Sequence, residues 1–285
     1  MNIGKMNIKN CVYLVIGIML MTWAAGCTNK TNVGNETSVD STEVDSLPED
    51  TLETLIEEMP MPKAADELFD DFLFNFAANK KLQYERVDFP LKVDKYGKVS
   101  EMDRKQWRME HFFMRQGFFT LVVSDMKEAE GSKDVNTDNV VIEKIYLGKN
   151  CIQQYLFNRV DGLWKLQQLN MESMKSNKNG DFYDFYNKFV NDSTFRQNAM
   201  AETVDFYGPD PDDDFNHIEG SIMPEQWDTF APELPKDVIY NIIYGDRKPK
   251  GSQRILVIRG IANGLETILK FKKTADGYQL VKIST

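Results

Sequence analysis

Two stretches of the chain carry large apolar side chains at the spacing of an amphipathic helix. The two sets are Phe69, Phe72, Leu73, Phe76 and Ala77, and Phe182, Phe185, Tyr186, Phe189 and Val190. Steps of three and four residues bring side chains to one face of a helix. Each stretch therefore predicts a helix that buries an aromatic stripe.

Downstream of the first helix, apolar and polar residues alternate over runs of strand length. The clearest runs are FFTLVVSDM, NVVIEKIYL, CIQQYLFNRV and LWKLQQLNM. Asp161-Gly162 separates the last two, and an Asp-Gly pair between alternating runs favours a tight type I′ turn. Consecutive strands joined by short turns predict an antiparallel sheet, which the aromatic helix covers on one face. The predicted fold class is therefore α+β.

The same features occur twice in the same order. The matched positions after each helix are Val87-Asp88-Phe89 with Val204-Asp205-Phe206, Gln106-Trp107 with Gln226-Trp227, and Asp161-Gly162 with Asp276-Gly277. One match could arise by chance, but several matches in one order indicate an internal repeat. We therefore predict tandem domains at Lys63 to Lys175 and Ser176 to Thr285, each long enough to bury its own core.

The N-terminus has a different composition, typical of a secretory signal. Lys5 and Lys9 precede the apolar run CVYLVIGIMLMTWAA, which is shorter than the roughly 20 residues that span a bilayer. Residues 1–26 are predicted to be a signal peptide. The site Ala24-Ala25-Gly26-Cys27 resembles the lipobox of bacterial lipoproteins, which implies a lipid on Cys27. The alternative is an ordinary signal peptide cut near Ala25, with a free thiol on Cys27.

Residues 27–62 are predicted to form an acidic flexible tether. From Thr31 to Glu58 there are nine acidic residues and no Lys or Arg, so the segment repels itself and extends. The whole chain has a formal net charge of -10, which argues against nucleic acid as a partner. The expected membrane contact is therefore the N-terminal lipid. Thr28 after the cysteine implies the outer membrane in a Gram-negative-type cell envelope.

A resemblance supports the fold. The motifs RVDFPL, EQW and DGYQLVKI are similar to those of an uncharacterised family of bacterial envelope lipoproteins with nuclear transport factor two-like, cystatin-like cone domains. The resemblance implies two tandem cone-like domains, each a curved antiparallel sheet wrapped on a long N-terminal helix. These motifs are structural, and the family brings no established activity with it.

The sequence contains none of the strong catalytic or cofactor motifs. There is no His-Glu-x-x-His helix, Cys-x-x-Cys pair, glycine-flanked serine or phosphate loop, so we expect no cofactor. The acidic segment from Asp210 to Glu219 begins with the alternating aspartates of a calcium loop. However, Phe215 occupies the position of the glycine turn and Ser221 that of the closing glutamate. We therefore predict a solvated, mobile loop and no metal site.

Cones of this class often enclose a pocket at the open end of the sheet. The aromatic residues expected there are Trp107, Tyr155, Phe157 and Trp164 in the first copy, and Trp227, Tyr240, Tyr244 and Tyr278 in the second. The preferred function is a lipid-anchored, non-catalytic binding or interaction module for an unknown small molecule or envelope protein. The alternative is a pocket enzyme, a hydrolase or isomerase, with an active site in one cone only. An ionisable constellation buried in one cone alone would favour the enzyme.

Overall fold

The computed structural model describes residues 63–210 and 213–285, which form five α-helices and twelve strands. The helices are α1 Phe69–Ala78, α2 Lys80–Arg86, α3 Gly180–Asn191, α4 Ser193–Asn198 and α5 Trp227–Phe230. The strands are β1 Val87–Lys95, β2 Lys98–Met102, β3 Phe118–Val123, β4 Asn139–Tyr146, β5 Cys151–Val160, β6 Leu163–Ser173, β7 Met200–Asp210, β8 Asp213–Ile222, β9 Val238–Tyr244, β10 Gln253–Gly260, β11 Glu266–Thr274 and β12 Gly277–Ser284. The predicted signal peptide, tether and Cys27 lie outside the described residues.

Both aromatic stripes lie on helices and are buried as predicted, on α1 and α3. Neither half has one long N-terminal helix, however, because a capping residue divides each helix into two short ones. Asn79 takes an extended conformation after α1, and its Oδ1 accepts a hydrogen bond from the Leu82 amide at 2.9 Å. Asp192 does the same after α3, with the Phe195 amide. Asparagine and aspartate favour this N-cap geometry, so each starts a second helix.

The described residues form two six-stranded sheets with matching strand order. The first sheet has the order β2-β1-β6-β5-β4-β9, and the second has the order β8-β7-β12-β11-β10-β3. Strands β1 and β6 pair in parallel, as do β7 and β12, whereas the other pairs are antiparallel. The prediction of wholly antiparallel sheets is therefore wrong at this pair. In the first sheet the hairpin β1-β2 joins the three-strand meander β4-β5-β6 through the parallel pair β1 and β6. In the second sheet β7-β8 joins β10-β11-β12 in the same way, through β7 and β12.

The third strand of each half belongs to the sheet of the other half. Strand β9 pairs with β4, from Val140 with Tyr244 to Tyr146 with Val238. Strand β3 pairs in the same way with β10. The two exchanged strands contact each other where the Thr120 Oγ1 accepts a hydrogen bond from the Tyr240 amide at 3.0 Å. The domain boundary between residues 175 and 176 stays a prediction, since each sheet takes one strand from the far side of it.

From Asp213 onwards the acidic segment forms a strand, where a mobile loop was predicted. Strand β8 begins at Asp213 and pairs with β7, with Tyr207 opposite Glu219. The His217 ring stacks on the Tyr207 ring at a centroid distance of 5.4 Å. Backbone pairing with β7 holds the segment extended despite its charge. Pro211 and Asp212 lie outside the described residues, so the absence of a calcium site stays a prediction.

The two Asp-Gly turns differ. Asp161 and Gly162 both have positive φ angles, 51° and 78°, which confirms the type I′ prediction. At the second turn Gly277 has a φ of 127°, whereas Asp276 stays in the ordinary region. The type I′ prediction is wrong there, because that turn requires positive φ at both central residues.

Two hydrophobic cores are present, and each contains residues from both halves. The first core surrounds α1 and includes Ile255 and Val257 of β10. The second surrounds α3 and includes Ile145 of β4 and Ile152 of β5. Each sheet therefore buries one face on its own helix and part of the other face on the neighbouring core. None of the helices within residues 63–210 and 213–285 is long and apolar enough to span a bilayer.

Candidate functional site

The aromatic residues predicted to line pockets are all buried in the two cores. Those in the first core are Trp107, Tyr155, Phe157, Trp164, Tyr240 and Tyr244, and those in the second are Trp227 and Tyr278. Tyr240 and Tyr244 were expected in the pocket of the second copy. They lie in the first core instead, because the exchanged strand β9 carries them there. Contact of any of these rings with a ligand stays a prediction.

A cluster of ionisable side chains lies at the edge of the first core, on the inner face of the first sheet. The Lys144 ammonium is 3.1 and 3.2 Å from the two carboxylate oxygens of Glu110. The Tyr155 hydroxyl donates to the same carboxylate at 2.6 Å. The Lys144 ammonium also lies over the Tyr240 ring, 5.7 Å from its centroid. The cluster thus holds one ion pair among tyrosine rings.

The electrostatics of this cluster keep its protons in place. Partial burial alone would lower the pKa of Lys144, but the Glu110 carboxylate, together with the Tyr240 and Tyr146 hydroxyls, outweighs it and the pKa is raised. Burial, followed by the Glu110 carboxylate, also raises the pKa of Tyr155 well above its usual range. Burial raises the pKa of Tyr240 to about 12. None of these three groups is therefore suited to proton transfer near neutral pH.

A cavity of about 550 Å³, lined by both polar and apolar side chains, lies on the opposite, outer face of the first sheet. We call it the Glu143 cavity. Glu143 of β4, Gln154 of β5 and Glu172 of β6 line it, together with Asn177 and Asn179 ahead of α3. The segment that joins β6 to α3 crosses the sheet here and brings its amide side chains over the strands. The volume is in the usual range for small-molecule sites.

Glu143 is 1% exposed, and four neutral donors surround its carboxylate. The Asn177 and Gln154 amides donate to its Oε1 at 2.5 and 3.0 Å. The Tyr183 hydroxyl and the Asn241 amide donate to its Oε2 at 2.8 and 3.1 Å. A carboxylate accepts about four hydrogen bonds. Glu143 therefore has no acceptor position left for a ligand, and it acts as the fixed centre that orients these four side chains.

Glu172 differs from Glu143 in the number of hydrogen bonds that its carboxyl group accepts. Its Oε1 accepts hydrogen bonds from the Gln154 and Asn177 amides at 3.0 and 2.9 Å, the same two groups that Glu143 orients. Among the described residues, no hydrogen bond is made to its Oε2. Partial burial raises the pKa of Glu172, the Asn177 hydrogen bond opposes this, and the nearby Glu143 carboxylate raises it further. Glu172 is thus a positioned carboxyl group with one oxygen available to a ligand in the cavity.

Both polar features lie on the first sheet. In the first sheet, Glu143 pairs with Asn241 and Lys144 with Tyr240, on strands β4 and β9. The matching strands of the second sheet are β10 and β3. There Val257 pairs with Leu121 in place of the first pair, and Ile258 with Thr120 in place of the second. By the same register, Tyr155 corresponds to Leu269 and Gln154 to Ile268. The fold therefore accepts apolar residues at these positions, and the polar set is not a requirement of the architecture.

The chemistry available in the cavity is that of one open carboxyl group among fixed amides. Glu172 can accept a hydrogen bond from a hydroxyl or amine, or take up a proton. Among the described residues, no group of three or more His, Cys, Asp or Glu side chains is arranged to hold a metal ion. The described lining shows no glycine-rich loop for the phosphates of a cofactor.

Sequence reasoning missed Glu143, Gln154, Glu172 and Asn177. One signal was available: in the run NVVIEKIYL, Glu143 falls on the strand face between Val141 and Ile145. A charged residue between two apolar neighbours on one face predicts a buried carboxylate with partners. No comparable signal marks Glu172, because it follows Asn170 on an evenly polar face.

Comparisons with known proteins agree with the fold. Residues 48–285 match the family model described as a domain of unknown function, DUF4348. The crystal structure of an NTF2-like protein from Bacteroides fragilis has a TM-score of 0.70 and 35% sequence identity. That match covers 79% of this chain and 98% of the other. No curated protein matches the chain.

Proposed function

Since the chain belongs to the DUF4348 family of unknown function and has an NTF2-like fold, we propose its role from the site itself. We propose a non-catalytic binding module, tethered to the cell envelope by a lipid on Cys27, that holds a small molecule in the Glu143 cavity. The observation that carries the proposal is the open oxygen of Glu172, positioned by Gln154 and Asn177 at the cavity wall.

The saturated carboxylate of Glu143 supports binding. Its four donors are fixed by hydrogen bonds, so the cavity wall is organised before any ligand arrives. A preorganised site avoids the entropic cost of ordering side chains on binding. The second sheet has apolar residues at the matching positions, so one cavity of this kind is expected for each chain.

The proposed anchoring rests on the N-terminal sequence. Cys27 directly follows Gly26 at the end of a short signal core, and the acidic stretch after it would keep the binding module away from the bilayer surface. An outer-membrane location is part of the proposal. An envelope protein bound by the same module is the other partner considered.

Replacing Cys27 by alanine tests the anchor. Cells that express Cys27→Ala are expected to release the protein into the soluble envelope fraction and to show no incorporation of labelled palmitate, because the acylated thiol is missing. Cys151→Ala is the matched control, since Cys151 lies within β5. Membrane retention and label equal to wild type would contradict the anchor.

The ligand site is tested with the mature chain purified under gentle conditions and examined by native mass spectrometry. The wild type, incubated with a small-molecule extract of its own cell envelope, is expected to retain a bound species that Glu172→Gln retains less. Glu219→Gln, an exposed acid of β8, is the control and should retain it fully. Equal retention by all three proteins would place the ligand elsewhere.

The second candidate is a pocket enzyme with a site in one half only. It is favoured by the raised pKa of Glu172, which moves this carboxyl group towards the range of a general base. It is also favoured by the apolar residues that occupy the matching positions of the second sheet. The same incubation separates the two roles. An unchanged mass of the retained species supports binding, whereas conversion by the wild type and not by Glu172→Gln supports catalysis.

A further inference from the structure

The Glu143 cavity continues along the outer face of the first sheet. A second cavity of about 380 Å³ lies beside the turn between β1 and β2 and shares Gln154, Glu172 and Ser176 with the first. Glu172 therefore stands at the junction of two adjoining cavities. Together they form one elongated groove, which suits a ligand of several linked units better than a single compact molecule.

Tyr96 stands at the far end of this groove. Its side chain is 63% exposed, although its backbone takes the left-handed conformation with a φ of 54°. That conformation is unfavourable for a bulky residue. The turn is fixed by the hydrogen bond from the Gly97 amide to the Asp94 Oδ1 at 2.7 Å, and by one from the Tyr96 amide to the Met171 carbonyl at 2.9 Å. An aromatic ring is thus held out to solvent on a rigid turn, at the mouth of a polar groove.

The charges around the groove favour a neutral ligand. In the larger cavity the acids Glu143, Glu172 and Asp246 are matched by the bases Lys178, Arg247 and Lys248. The smaller cavity adds one acid, Asp94, whose Oδ1 already accepts a hydrogen bond from the Gly97 amide. The remaining polar lining consists of amides and hydroxyls, with Asn170 and Ser173 in the smaller cavity. Uncharged donors and acceptors recognise hydroxyl and amide groups and confer little preference for net charge.

From these features we infer the class of ligand, and the inference rests on the binding role proposed above. The groove binds a neutral oligosaccharide. Its hydroxyl groups would pair with the open oxygen of Glu172 and with other polar side chains that line the groove. The apolar face of one sugar ring would stack on Tyr96, a side chain that offers a large rigid contact surface at low entropic cost.

The experiment measures binding of neutral oligosaccharides by the mature full chain. A glycan array carrying neutral hexasaccharides of differing linkage identifies the sugar, and calorimetric titration gives its affinity. We expect saturable binding that is tighter for the hexasaccharide than for the monosaccharide. Glu172→Gln and Tyr96→Asn are each expected to weaken it about tenfold. Asparagine tolerates the left-handed conformation, so the Tyr96→Asn turn should fold normally.

The control for the ring is Tyr207→Ala, which removes an exposed tyrosine of the second sheet that stacks on His217. It should leave the affinity unchanged. The inference is overturned if no neutral oligosaccharide binds, or if both groove variants bind as tightly as wild type. Saturable binding of spermine that Glu172→Gln abolishes, in the absence of sugar binding, would likewise overturn it in favour of a cationic ligand.

Native mass spectrometry separates this inference from the binding role itself. A retained species that is lost in Glu172→Gln but is not a saccharide would overturn the ligand class and leave the binding role standing. Equal retention by wild type, Glu172→Gln and Glu219→Gln would overturn both.

Discussion

Glu143 and Lys144 are consecutive residues of β4, and they therefore face opposite sides of the first sheet. Glu143 is buried among neutral donors on one side, and Lys144 is paired with Glu110 on the other. Burying a charge costs several kcal/mol unless hydrogen bonds or a counter-charge offset it. Val257 and Ile258 occupy the corresponding positions of the second half at no such cost. Stability therefore does not account for this difference, and the proposed binding site would.

At the scale of single residues, the titration of Glu172 tests its raised pKa. Its folded pKa is raised above the ordinary value of 4.5, so the folded state holds its proton to higher pH than the unfolded chain does. Stability should therefore fall as the pH rises from about 4.5 through the folded pKa. Glu172→Gln removes this term. Its free energy of unfolding, relative to wild type, is expected to be higher at pH 7 than at pH 4 in urea titrations, and a difference independent of pH would contradict the raised pKa.

Trp107 provides a second test. Its ring is 3% exposed in the first core, and its Nε1 donates to the Gln83 Oε1 at 3.2 Å. Trp107→Ala should cost about 3 to 5 kcal/mol in the free energy of unfolding, because it leaves a cavity among packed rings. Thermal or urea unfolding measures this. Removing the exposed Tyr96 ring by Tyr96→Asn is the control, and a Trp107→Ala protein as stable as wild type would mean that the ring is not packed.

At the scale of elements, the aromatic stripes and the Asp161-Gly162 turn were predictable because their causes are local. Helical spacing and a pair of residues that accept positive φ act within a few positions. The break at Asn79 was missed because the long helix was taken from the family resemblance, although the apolar stripe itself ends at Ala77 and Lys80 follows the cap residue. The exchange of β3 and β9 could not be predicted, since an apolar strand such as Val238–Tyr244 has the same pattern beside either sheet.

The start of α3 offers a test at this scale. A Cβ placed on Gly180 would lie 1.9 Å from the Met174 carbonyl oxygen, which is a backbone atom that cannot turn aside. Gly180→Ala should therefore destabilise the protein by about 1 to 3 kcal/mol, by forcing the segment after β6 away from the helix. Gly220→Ala on β8 is the control, because nothing lies within 4 Å of its added Cβ. Unfolding in urea measures both, and equal stability of the two variants would contradict the close approach.

At the scale of the whole molecule, the sequence predicted two copies and the structure shows two sheets with matching strand order that complete each other. The candidate site depends on this arrangement. Two hydrogen-bond donors to Glu143 come from elsewhere in the chain: Asn241 from the exchanged β9 and Tyr183 from α3. Both lie in the second half of the sequence, whereas Glu143 and Glu172 lie in the first. A pattern search within one copy could therefore not assemble the site.

Separating the halves tests this dependence. Residues 27–175 and 176–285 produced as separate chains in one cell are expected to co-purify as a folded complex, because each supplies the edge strand that the other sheet lacks. Either half alone should aggregate or remain unfolded, as judged by size-exclusion chromatography and circular dichroism. A stable, folded monomer of one half would show that the exchanged strand is dispensable.

The exchanged strands also impose an order on biosynthesis. β4 leaves the ribosome long before β9, so the edge that Val238–Tyr244 will cover remains open while most of the second half is still being translated. β3 waits longer, because its partner β10 is made after β9. Open strand edges pair readily with those of neighbouring chains, and long-range pairing is slow. A nascent chain paused before Val238 thus exposes two unpaired apolar edges until its last strands emerge.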